Sequence, residues 1–140
     1  MPNPGPASTT TANSIIDSQN ALRLIAFAKN VSVAAAGDTQ MNVVTPSNFV
    51  PTQVVTCNSS GTTANIAAAT LGIFTAPGAA GTTVHATAAL TGQTTATFAF
   101  VRAASVANAM IQASSLFVNV GTTVAGGQTD VYLYGFDVQP

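Results

Sequence analysis

Val131-Tyr132-Leu133-Tyr134-Gly135-Phe136 is the stretch on which the reading of this chain turns. In an extended strand successive side chains point to opposite faces. Both tyrosines and Phe136 therefore share one face, and Val131 and Leu133 share the other. A strand that is apolar on both faces is central in its sheet or covered by a partner. Two roles follow for Tyr132, Tyr134 and Phe136: part of a core strand, or a subunit interface made through the aromatic face. These three are the candidate interface residues.

Working outward, the same short extended pattern recurs. Val31 to Ala35 and Met41 to Thr45 alternate, with Gly37-Asp38 as a turn between them. Ala21 to Phe27 fits a helical turn or a strand equally well. Pro46 and Pro51 fence a loop around Phe49, and Gln53 to Cys57 follows as a β-branched strand. Asn58-Ser59-Ser60-Gly61 has turn chemistry. Leu71 to Thr75, Thr82 to Ala86, Thr95 to Val101 and Ser115 to Val120 read as strands, with Pro77 to Gly81 as a loop. Ser105 to Ala113 fits a short helix. Strands at roughly 10-residue spacing, punctuated by Gly and Pro, predict an all-β antiparallel sandwich or jelly roll. The 26 Ala are the counter-evidence, since Ala favours helix. Set as Ala-x-Ala among Thr and Val, they suit tight gaps between two sheets.

The length of 140 residues is that of one domain. Residues 1–14 hold three of the seven prolines and a Ser-Thr-Thr-Thr run, so they are expected to form an extended N-terminal arm, and residues 15–140 the sandwich. The charge content excludes more than it suggests. Only 5% of residues are charged, against roughly 25% in an ordinary soluble domain. Arg23, Lys29 and Arg102 cannot build the basic patch that nucleic-acid binding needs, and each reads as an isolated surface cation. No run approaches the roughly 20 apolar residues of a membrane span. The opening Met1 to Pro6 lacks signal-peptide character, and Cys57, the single cysteine, rules out an intrachain disulfide; the chain is expected to be made in the cytoplasm. A weakly charged exterior is tolerable when other subunits cover much of it.

No constellation predicts chemistry. His85, the only histidine, reads as a hydrogen-bonded strand residue, and no nucleophile elbow accompanies it. Asp130 and Asp137 lie seven positions apart, on opposite faces of a regular strand, and read as solvated strand ends. Cys57 reads as a small buried hydrophobe. No metal, cofactor or phosphate site is expected, and no enzymatic activity.

Pro51 to Thr56 with Asn58 to Gly61, Gly72 to Gly78 and the ending Thr129 to Asp137 resemble phage structural proteins. Over residues 31–138 the chain is similar to the jelly-roll cement (decoration) proteins of tailed bacteriophages. The resemblance implies a virion protein on the outer capsid surface that bridges subunits of the major capsid protein as a homo-oligomer, dimer or trimer. It transfers no binding residue. The alternatives are a head-fibre or tail component that recognises a host surface, and a carbohydrate-binding sandwich module. The last would normally display exposed Trp or Tyr platforms, whereas Trp is absent and both tyrosines lie in one strand.

Overall fold

A computed structural model describes residues 22–44, 47–61, 65–94, 99–102 and 106–138; the expected arm at 1–14 lies outside them. The described chain is all-β. Its strands are β1 (Leu22–Ser32), β2 (Gly37–Gln40), β3 (Asn42–Val43), β4 (Ser47–Gly61), β5 (Thr70–Ala76), β6 (Ala80–Ala89), β7 (Ala99–Arg102), β8 (Ile111–Ala113), β9 (Phe117–Val120) and β10 (Gly127–Asp137). Two antiparallel sheets result. The six-stranded sheet has the order β3-β1-β10-β4-β7, with β8 also pairing to β4, and the four-stranded sheet has the order β2-β9-β5-β6. The two-sheet antiparallel expectation is met.

One core lies between the sheets. Ile25, Ala28, Phe49, Val54, Val131 and Leu133 reach it from the larger sheet, and Leu71, Ile73, Val84, Val118 and Val120 from the smaller. Small residues such as Ala26 and Ala28 let the layers approach, which is where the Ala-x-Ala pattern is spent. A buried polar tie crosses this core. Gln93, fully buried in the loop after β6, accepts a hydrogen bond from Thr56 Oγ1 (2.6 Å) and donates from Nε2 to Ser59 Oγ (2.9 Å). Both side-chain ends of the amide are satisfied, as burial requires.

Four expectations are corrected. The loop around Phe49 is strand: β4 runs from Ser47 through both Pro51 and the expected turn at Asn58 to Gly61. Pro51 is tolerated because it sits beside a register shift of the β10–β4 ladder, where the strand is already irregular. Asn58 takes the left-handed conformation (φ 54°) inside a second shift, so the chain jogs there and continues. Over the described part of Ser105–Ala113 there is no helix: Val106 bridges His85, and Ile111–Ala113 pairs with β4. Finally, Gly37-Asp38 does not turn but opens β2, pairing with Val120 and Asn119. The Asp38 carboxylate then accepts from Gly78 N (2.8 Å) and Asn119 Nδ2 (2.9 Å), which pins the β5–β6 turn to the sheet.

Candidate functional site

The last strand is central, with β1 on one edge and β4 on the other. Residues directly opposite in an antiparallel ladder share a face. Val131 and Leu133 are fully buried toward the core, while Tyr132 and Tyr134 stand half-buried on the outer face and Phe136 is exposed there. The register aligns three rows across β1, β10 and β4: Phe27–Tyr132–Val55, Leu24–Tyr134–Gln53 and Leu22–Phe136–Val50. Phe27 and Tyr132 stack, with ring centroids 6.3 Å apart.

Two bulges keep these rows aligned. One extra residue lies in β1 between Leu24 and Ala26, and one in β4 between Gln53 and Pro51. Without them, strict alternation would turn Leu22, Leu24 and Val50 to the core. The bulges flank the central strand at nearly the same level, which sharpens the local twist.

Register places more residues on this face than the sequence pattern alone does. Val43 is opposite Ala26 and packs inward, so Val44, bonded from its N–H to the Ile25 carbonyl, takes the outer side. Ile111 is buried opposite Phe49, so Met110 before it falls outward beside Val50. Val138, bonded to the Asn48 carbonyl, follows Phe136 by alternation. Leu22, Val44, Met110, Phe136 and Val138 are the large apolar side chains exposed among the described residues, by 37% to 63%. All of them lie toward one end of this single face. Scattered exposed apolar residues need no explanation, but a contiguous patch marks an interaction surface.

Beside the patch, between the described pairings of β4 with β8 and with β7, lies a recess of about 360 Å³, lined by Val50, Pro51, Val106, Ala107 and Phe136 among others. The charges sit at the margins. Arg23 is not an isolated cation: its guanidinium meets Asp137 at 3.2 Å on the core side of the same end. Asp130 is not a solvated strand end either. At the opposite end of the outer face, its carboxylate accepts from Asn30 N and from Asn58 Nδ2, each at 2.8 Å. Both asparagines are left-handed (φ 54°) and lie in bulges of β1 and β4, so one carboxylate on the central strand clamps the bulge on either side.

Burial, and next the Asp130 charge, push the Cys57 thiol up, with Lys29 opposing; this is the buried hydrophobe expected, not an activated thiolate. Tyr132 is likewise raised, first by burial and then by Asp130. Its proton is thus held longer in the fold than in the unfolded chain, where tyrosine ionises near about 10. That contribution to stability is complete below this value and is lost as pH rises through the folded one. Unfolding free energy is therefore expected to fall above about pH 10. Tyr132→Phe should make that fall shallower; an unchanged slope in denaturant titrations at alkaline pH would contradict the placement of Tyr132.

His85 is a buried residue of β6, in the other sheet. Among the described residues no group of three or more His, Cys, Asp or Glu side chains could hold a metal ion, and no helix is long and apolar enough to cross a membrane. No protein-family model, curated protein or solved structure matches this chain.

Proposed function

We propose that this protein is a non-enzymatic assembly component that cements a virus shell by bridging major capsid protein subunits from the outer surface. The observation that carries the assembly reading is the convergence of the exposed large apolar side chains on one face of the six-stranded sheet. The low charge of the chain supports it, since a surface that other protein covers does not need ionic solubility. The shell role itself rests on the resemblance in residues 31–138.

Physics makes such a role workable. Packaged DNA presses shell subunits apart, and a clamp spanning two of them resists separation. Each bridge joins subunits already close together, so modest contacts gain from a high effective concentration. Apolar and neutral polar contacts are also little affected by salt. Adding the purified full chain to particles that lack it tests the reading. Saturable binding that raises the temperature of DNA release is the expected result. Absence of binding to such particles would remove the shell role.

A further inference from the structure

We propose that the outer face of the six-stranded sheet is covered by the same face of a second copy of this chain, in an isologous dimer. The inference rests on the assembly reading and names the occupant of its surface.

Three features select a second copy. The first is size. The face spans β1, β10, β4 and β8, four strands about 4.8 Å apart, and runs from Tyr132 to Val138 at about 3.3 Å per residue. That is a plane of roughly 20 by 20 Å, and side chains standing on it expose more surface than the plane itself. Two such faces together bury about 1,000 Å² or more, the lower bound of a specific interface.

The second feature is charge. Rows Leu24–Tyr134–Gln53 and Leu22–Phe136–Val50 contain no ionisable carboxylate or cation, and neither do Val44, Met110 and Val138. A partner bringing charges to this surface would have to strip them of water with nothing to pair them. An identical neutral face brings none, and a net charge of −1 per chain creates little repulsion between copies.

The third is shape. The face belongs to a sheet whose central strand can lie over its own counterpart about a twofold axis. Sheets pack in this way about 10 Å apart, with side chains interdigitating. Exposed Met110 and Phe136 supply adaptable and aromatic contacts of the kind enriched at interface centres.

The test uses the full chain in sedimentation velocity over a wide concentration range, with three variants. Phe136→Asp and Met110→Asp each place a charge on the face. Thr83→Asp places one on an exposed position of β6 in the other sheet. A dimer that Phe136→Asp and Met110→Asp each weaken by roughly 100-fold, and that Thr83→Asp leaves intact, is the result expected. Met110 is the more exposed of the two, so its variant keeps the test sharp if Phe136→Asp disturbs folding. A chain that stays monomeric, or a dimer indifferent to both face charges, overturns the inference. Monomers that still bind particles would show that the face meets a shell protein instead, leaving the proposed function standing without a second copy.

Discussion

Gly135→Ala is expected to lower the melting temperature by roughly 10 °C, the equivalent of about 3 kcal/mol in a chain of this size. Gly135 lies on the core side of the central strand, opposite Pro51 and next to the β4 bulge. A Cβ there would press onto the Val50 carbonyl oxygen and sit 3.1 Å from the Pro51 Cα. Both are backbone, so neither can rotate away. The strands must part, and the β10–β4 ladder at that level is the join that brings Phe136 beside Val50. The same substitution should therefore weaken whatever the outer face binds. A melting temperature within about 2 °C of the parent would show that the bulge is misplaced.

Asp130→Ala should cost about 3 kcal/mol in chemical denaturation, because it removes two hydrogen bonds to one charged group. It strands the Asn30 N–H and frees two left-handed asparagines whose conformation is otherwise held by the carboxylate. Asp130→Asn keeps one acceptor oxygen and replaces the other with a donor, so its loss should be smaller. The Ala variant should also relax the upward shift of Tyr132, which the Asp130 charge helps to maintain. A loss below about 0.5 kcal/mol for both variants would mean that the bulges hold themselves.

The sequence carried the sheet chemistry but not the joins. The alternation in 131–136 predicts a strand that is central or covered by a partner; the strand found is central, and register puts its aromatic face outward. Phe49 reads as loop because Pro46 and Pro51 look like loop boundaries, whereas it lies within β4. A proline beside a bulge breaks no ladder bond that the strand needs, and nothing local distinguishes the two situations. Asn58 shows the same ambiguity, since left-handed asparagine serves turns and bulges alike. The pairing of Arg23 with Asp137 spans 114 positions and exists only because β1 and β10 are neighbours.

The apolar outer face is legible only in part. Tyr132, Tyr134 and Phe136 were visible as a stripe, whereas Leu22, Val44, Met110 and Val138 come from separate segments. They meet only through strand register and the two bulges, neither of which a hydrophobicity pattern encodes.

Quantitative mass spectrometry of purified virus particles from the source, scaling this protein against the major shell protein, tests the assembly role most directly. One copy per shell subunit, or a simple fraction of that number, is the expected result. Complete absence from particles would contradict it, and a few copies per particle would move the protein from the shell lattice to a fibre or tail.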